Sequence, residues 1–369
     1  MQALKGIRVL DFSTLLPGPM ATLILAEAGA DVVKVERPNT GDDLRGYSDK
    51  LGPDSVSFAS LNRGKRSVAV DLKGADALQR LRPLIEAADV VVEQFRPGVM
   101  DRLGFGYEAL KRINPGVIYC SITGFGQYGP KRDLAAHDLN YVAQSGMLSR
   151  VQADGGGPTL PIALIADIGG GTYPAVINIL MALFRRTRDG QGCHLDVSMH
   201  DNLLPLMYAT LAAGFGMDDW PGPGAEITTG ASPRYNIYAT SDGRHVAAGP
   251  LEDKFWNNFC DVIGLPGPLR ATTADPAVVR AAVAGLIRAR DAAHWRAAFA
   301  GRDVCADIIA SVEEGARDPH YEARGLFAHR LLCGGKELPA APVPLDAGLR
   351  GAPDVLGYPS LGEANELLG

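Results

Sequence analysis

Along the first third of the chain, short apolar runs alternate with longer amphipathic ones. IRVLDF (7–12), DVVKVE (31–36), SVAVDL (67–72), DVVVEQF (89–95) and GVIYCSI (116–122) are β-rich and predict strands. Between them, MATLILAEAGA (20–30, closed by Gly29), 74–88 and a stretch near 106–113 predict helices. Buried strands separated by amphipathic helices predict an α/β fold, a parallel sheet with helices on both faces. Past residue 160, ADIGGGTYPAVINILMALFRR predicts a Gly-rich loop feeding a long apolar helix from about 173. CHLDVSMHDNLLPLMYATLAAG then predicts a further strand and helix.

The Pro/Gly-rich segment 218–233 predicts a linker. Beyond it, YNIYATSDGRHVAAG predicts a hairpin with Asp-Gly at its turn, and helices are expected around 252–263, 276–290 and 291–300. This division gives a large domain over 1–217, a small α+β domain over 234–324, and a tail, 325–369, that returns to the large one. The length, 369 residues, suits two lobes.

The composition is that of a globular protein, 46 % hydrophobic and 21 % charged. A net charge of −6 provides no general attraction to nucleic acid, so any anion site must be a local basic cluster. The five cysteines are scattered and form no CxxC pair, which fits a reducing, cytoplasmic setting. No signal peptide and no apolar run long enough for a membrane span is expected.

Three motifs are set aside. GFGQYG (124–129) matches a dinucleotide fingerprint, but Pro130-Lys131-Arg132 follow where the apolar face of a helix is required. RGKRS (63–67) has Ala59 where a phosphate-binding loop needs glycine. HLDVSMHD (194–201) places two His and two Asp close together, without a third dispersed cluster to complete a metal site. No metal is expected.

Arg37, the turn Arg63-Gly-Lys65-Arg66, and Arg96 are basic spots next to strand ends. In an open parallel sheet the ligand crevice lies beyond the strand C-termini, and Arg37 and Arg96 fall there, each followed by Pro. Two arginines suit a pyrophosphate and a basic turn a further phosphate, which together match coenzyme A. Asp167 precedes three glycines and a helix. It reads either as an N-cap or as a carboxylate beside backbone N–H groups able to hold an oxyanion, as thioester chemistry requires. His137, in DLAAHDLNYVAQSG, reads as a packed histidine, a ligand or a base. Glu252 opens a helix of the second lobe, where it could be a first-turn carboxylate or orient a histidine.

The chain resembles the family III coenzyme A transferases, the CaiB/BaiF-type group that includes formyl-CoA transferase, carnitine CoA-transferase and α-methylacyl-CoA racemase. The resemblance rests on GIRVLDFSTLLPGPMATLILAEAGADVVKVERP, NRGKRSVAVDLK, FRPGVMDRLGFGYEAL, GFGQYGP, DIGGGTYPAVINILMALFRRTRDGQG and DVSMHDNLL, which together span almost the whole chain. It implies a Rossmann-like large domain, a small domain, and a homodimer of interlocked rings. It implies acyl-CoA as substrate, with no separate cofactor, nucleic-acid partner or membrane. In transferases an aspartate matching Asp167 is the nucleophile that takes the acyl group. HDLNY (137–141) and Glu252 in GPLEDKFW fit the racemase branch instead, with Ala136 where glycine is common. There His137 and Asp167 would exchange the carbon-2 proton on opposite faces, and Glu252 would pair with His137. Gly169 and Gly170 would hold the enolate oxygen. Arg37, Leu61, Asn62, Arg63, Lys65, Arg66, Arg96, Ala136, Asp138, Leu139, Asn140 and Tyr141 would contact the substrate or its CoA.

Overall fold

The computed structural model describes residues 2–151 and 156–369. Two compact units divide the chain: Met1–Ser145, Pro161–Met207 and Pro319–Gly369 form one, Gly146–Leu160 and Tyr208–Asp318 the other. The change of unit falls at Met207–Tyr208, ahead of the Pro/Gly-rich segment.

The first unit is built on strands β1 (Arg8–Asp11), β2 (Asp31–Glu36), β3 (Arg66–Ala69), β4 (Val90–Glu93), β5 (Ile118–Thr123) and β6 (Cys193–Ser198). They form one sheet in the order β3-β2-β1-β4-β5-β6, every neighbouring pair parallel. The order reverses between β1 and β4, so their C-terminal ends diverge there and leave a crevice. Strands β4 and β5 are buried along their whole length, which is why they lack a polar face in the sequence.

Helix α1 (Pro17–Glu27) starts earlier than the apolar run suggests, because Pro17 takes the first helical position, where its missing N–H costs nothing. Helices α2 (Val56–Asn62), α3 (Ala77–Ala87), α4 (Val99–Leu103), α5 (Tyr107–Ile113) and α6 (Asp138–Gln144) follow. The long helix α7 (Tyr173–Asp189) is preceded by a π-helical turn, Ala166–Thr172, so the chain is helical from 166 rather than from 173. Over Ala166–Asp189 this helix is long and apolar enough to cross a membrane by length and composition, contrary to expectation. Its inner face, with Ala175, Ile179 and Leu183, packs on α1, β5 and β6; Ile177, Met181 and Phe184 are exposed.

The second unit holds α8 (Tyr208–Met217) and the antiparallel hairpin β7 (Asn236–Ala239) and β8 (His245–Ala248). Gly243 at its turn has φ +80°, which glycine adopts without strain. Helices α9 (Asp253–Ile263), α10 (Pro276–Arg288) and α11 (Ala292–Phe299) and strand β9 (Ala306–Ile308) close a core around Trp256, Phe259 and Trp295.

In the first unit, β10 (Arg330–Cys333), β11 (Lys336–Pro339) and β12 (Val355–Leu356) form a small sheet beside α2. One carboxylate ties this return to the rest. Glu27, the last residue of α1, accepts Arg63 Nε at 2.7 Å on Oε1 and Arg350 Nη2 on Oε2, while Arg63 Nη2 donates to the Ala341 carbonyl at 2.7 Å. Removing one partner from a buried charge group leaves the others uncompensated, at a cost of about 3–5 kcal/mol. Glu27→Gln is therefore expected to lower unfolding free energy by about that amount in urea titration. A wild-type midpoint would show that the return is held elsewhere.

Candidate functional site

His137, Asp138 and Asp167 meet in the first unit. Helix α6 begins at Asp138, with His137 as its N-cap: the His137 carbonyl accepts Asn140 N–H at 2.8 Å, and Asn140 Oδ1 accepts His137 N–H at 3.0 Å. This reciprocal arrangement fixes the backbone that carries the exposed imidazole. Tyr141 donates from its hydroxyl to the Ala136 carbonyl at 2.9 Å and packs edge-on against Phe125. Ala136, Asn140 and Tyr141 thus position His137, and Leu139 stays exposed beside it.

Asp167 is not the N-cap of its helix. The capping carboxylate comes from elsewhere: Asp138 Oδ1 accepts Ala166 N–H at 2.7 Å and Asp167 N–H at 3.0 Å. Two donors left over by the helix start are satisfied by a buried acid, and the Asp167 side chain is free to point away from its own backbone. Burial, and then the Asp138 charge, push the Asp167 carboxyl up to about 6, with His137 offsetting part of the rise. The same two acids, after burial, push the Tyr141 phenol up to about 12, and Arg96 draws it back down. Asp167 thus lies within electrostatic reach of His137 and Asp138, and Tyr141 within reach of Asp167, Asp138 and Arg96.

The glycines divide. A Cβ on Gly170 would collide with the Met199 carbonyl, so this glycine serves close packing on the residue after β6, and its N–H lies inside the π-helical ladder. That corrects the expectation of a free oxyanion donor at Gly170. At Gly169 a Cβ would meet Leu206 Cδ1 at 3.7 Å, an ordinary contact, so this position is not closed off as Gly170 is.

The basic residues divide as well. Arg37 and Arg96 lie beyond β2 and β4, both exposed, and the Arg37 guanidinium donates to the Gly41 carbonyl at 3.1 Å and pairs with Asp43. Arg37 lines a cavity of about 420 Å³ at the C-terminal ends of β1, β2 and β3, together with Phe12, Thr14, Leu72, Lys73 and Phe95. Leu72 and Lys73 were missed in the sequence, although they follow a strand just as Arg37 does. The turn 63–66 is a correction. It precedes β3 and so lies at the other end of that strand, and its side chains are already committed. Arg63 is on Glu27; Lys65 Nζ donates to Asp11, Thr22, Pro19 and Asn62; Asn62 also donates to the Phe58 carbonyl. Arg66 pairs with Asp31, the first residue of β2, and Leu61 is half-buried. None of the three charges is turned toward the crevice.

Glu252 is the exposed N-cap of α9 in the second unit, its carbonyl accepting Trp256 N–H at 2.9 Å. GFGQYG forms a bend with no helix after it; Gln127 N–H donates to Asp196 at 3.0 Å. Among the described residues, no group of three His, Cys, Asp or Glu side chains is arranged to hold a metal ion.

The model of CoA-transferase family III matches residues 4–365. The chain is 35 % identical over 368 residues to alpha-methylacyl-CoA racemase of Mus musculus, covering 98 % of this chain and 91 % of that one. It is 43 % identical over 287 residues to formyl-CoA:oxalate CoA-transferase of Afipia carboxidovorans, covering 72 % and 67 %. A solved CAIB/BAIF family protein from Brucella suis superimposes with a TM-score of 0.81 at 28 % identity, covering 98 % and 97 %.

Replacing Asp138 by Asn keeps an oxygen for the two helix amides but removes the negative charge. The Asp167 carboxyl is then expected to titrate below about 6, moving toward the ordinary aspartate range. Carboxyl carbon shifts of Asp167 followed by NMR against pH check this; an unmoved midpoint would leave burial as the whole cause.

Proposed function

The chain belongs to CoA-transferase family III, and on that premise we propose that it is an α-methylacyl-CoA racemase, interconverting the 2R and 2S epimers of 2-methylacyl-CoA thioesters. The observation that carries this reading is the pairing of His137 with Asp167, an imidazole and a raised carboxyl in mutual electrostatic reach on fixed backbone. A proton on carbon 2 is acidified by the adjacent thioester carbonyl. One group removes it, leaving an enolate, and the other returns a proton to the opposite face. An imidazole and a carboxyl near 6 can each take and give a proton around neutrality.

The cavity past β1, β2 and β3 suits the nucleotide end of CoA, with Arg37 and Lys73 in its wall, and Arg96, exposed beyond β4 and outside that wall, is proposed as a further phosphate partner. The acyl-CoA is itself the substrate, and the chemistry calls for no separate cofactor. A second copy of the chain is proposed to cover Ile177, Met181 and Phe184 on α7; sedimentation equilibrium should give twice the chain mass, and a monomer at micromolar concentration would sink this part.

The identity to a formyl-CoA:oxalate CoA-transferase favours a second reading, in which Asp167 attacks the thioester and carries the acyl group as a mixed anhydride. The two readings separate at His137. In deuterium oxide the wild type should incorporate deuterium at carbon 2 of each pure epimer and approach an equal mixture. A well-folded His137→Asn protein should stop converting epimers while still exchanging the one whose proton faces Asp167. CoA transfer to an added carboxylate without carbon-2 exchange would replace the racemase by the transferase.

A further inference from the structure

We propose that Glu93 is a positioning residue that sets Arg96 for its acyl-CoA phosphate through the turn between them, with a proton shared along His194, Ser121 and Glu93 deciding how firmly. This rests on the assignment of Arg96 to the coenzyme made above.

Glu93 is the last residue of β4 and is almost wholly buried, an unusual place for an acid without an ionic partner. Its Oε2 accepts the Phe95 N–H at 2.8 Å, closing the turn that delivers Arg96 to the surface. The turn is pinned on its other sides: Gln94 Oε1 accepts Gly18 N–H at 2.9 Å from the start of α1, and the Arg96 carbonyl accepts Val99 N–H at 3.1 Å. The Glu93 carboxyl is the one tie among these that can change its charge.

Behind the turn lies a cavity of about 200 Å³ lined by Glu93, Arg96, Asp101, Ser121, Gln127 and His194. Ser121 lines this cavity beside Glu93, its hydroxyl holding the Glu93 carboxyl down against the effect of burial, and its Oγ meets His194 Nε2 at 2.9 Å. His194 cannot swing away, because its ring is stacked on Tyr107 and met edge-on by Tyr119, both at 5.4 Å. The charged and titratable groups facing Glu93 are Asp101 from α4, Tyr119 and Cys120 from β5, and Asp196 from β6, with Arg96 in the wall of the same cavity. Glu108 of α5 faces His194. Among the described residues no cation forms an ion pair with Glu93.

The proton count closes in two arrangements. With Glu93 ionised, Ser121 donates to it and accepts from His194 Nε2–H. When Glu93 takes a proton from solvent, its O–H donates to Ser121, Ser121 donates to His194 Nε2, and the imidazole carries its single proton on Nδ1. Both arrangements leave the imidazole neutral, in keeping with the fall in His194 basicity that burial causes. They differ at Phe95, where an ionised acceptor makes a shorter and stronger bond than a neutral one. Burial, and then the acids Asp101 and Asp196, push Glu93 up to about 7 in spite of its bonds to Ser121 and Phe95, so both arrangements are within reach near neutrality.

The test uses acetyl-CoA binding by titration calorimetry from about pH 5.5 to about pH 8.5, a range that brackets the neutral region. The phosphates of CoA titrate alike in every variant, so the readout is the difference between proteins. Glu93→Gln reproduces the protonated arrangement, its amide donating to Ser121. Its affinity should match the wild type at the acid end and be about three- to tenfold weaker at the alkaline end, the loss of part of one charge-assisted hydrogen bond. Its KM should rise by the same factor with kcat little changed. Ser121→Ala removes a bond that favours the ionised form and should move the wild-type midpoint to higher pH. On an Arg96→Ala background, Glu93→Gln should cost nothing further. A folded Glu93→Gln protein that binds like the wild type at the alkaline end overturns the proposal. Failure of the wild type to bind acetyl-CoA at any pH overturns instead the coenzyme reading on which it rests.

Discussion

Two ammonium groups, those of Lys34 and Lys65, sit inside the first unit without solvent contact, and this placement constrains much else. Taking a charge out of water costs several kcal/mol unless partners surround it. Lys34 Nζ finds Asp42 at 3.0 Å and the Ser13 carbonyl at 2.6 Å; Lys65 finds Asp11 at 3.2 Å. In return, and despite its burial, the two lysines hold Asp11 down at about 2. Because Asp42 must reach Lys34, the chain after β2 folds back over the sheet edge. Because Asp42 also accepts Leu15 N–H at 3.1 Å, Leu15 is held at φ +63°, a conformation leucine avoids on its own. The loops after β1 and β2, which wall the crevice, are thus shaped by where two lysines can be buried.

The proposed site uses the same device with one charge fewer. Asp138 is buried without a cation, and its compensation is the pair of amides at the start of the π-helical turn. It joins α6 to the helix carrying Asp167, so the segment bearing His137 and the one bearing Asp167 are set against each other by a single carboxylate oxygen. The extra turn of the π-helix, the conformation most often found as a local insertion at functional sites, gives the glycines their distinct environments. Gly170 is pressed on Met199, while at Gly169 a Cβ would meet only Leu206 and Ile165 at ordinary contact distance.

What could be read from the sequence follows from how local each cause is. The five early strands and the parallel sheet were legible because burial on both faces removes polar residues from the strands themselves. The hairpin was legible from Asp242-Gly243, since only a few residues tolerate that turn. Helix α2, in VSFASLN, was not anticipated, being short and made of small residues whose helicity depends on packing. The proposed roles of His137 and Asp167 come from the family motifs, whereas the capping of one segment by Asp138 of the other joins residues far apart in sequence and has no local signature. Arg63 and Lys65 show the opposite failure. Their charge is plain in the sequence, but its direction is not, and both turn inward to carboxylates 36 and 54 positions away.

Burial raises both Asp167 and Glu93 into the range where a carboxyl can exchange protons near neutrality, to about 6 and about 7. The shift alone does not mark either as a base, since buried structural acids shift in the same way. Access separates them. Asp167 is only partly buried, with an exposed imidazole in reach. Glu93 is almost wholly buried behind its turn, where the Phe95 amide holds its carboxyl. A proton on Asp167 can pass to a ligand, while one that Glu93 takes up from solvent changes only its bonds to protein groups. The first arrangement suits chemistry on a substrate and the second suits setting the geometry of a neighbour. The same physical cause, desolvation of a carboxyl at the C-terminal side of the sheet, therefore serves two roles, and the surrounding packing decides which.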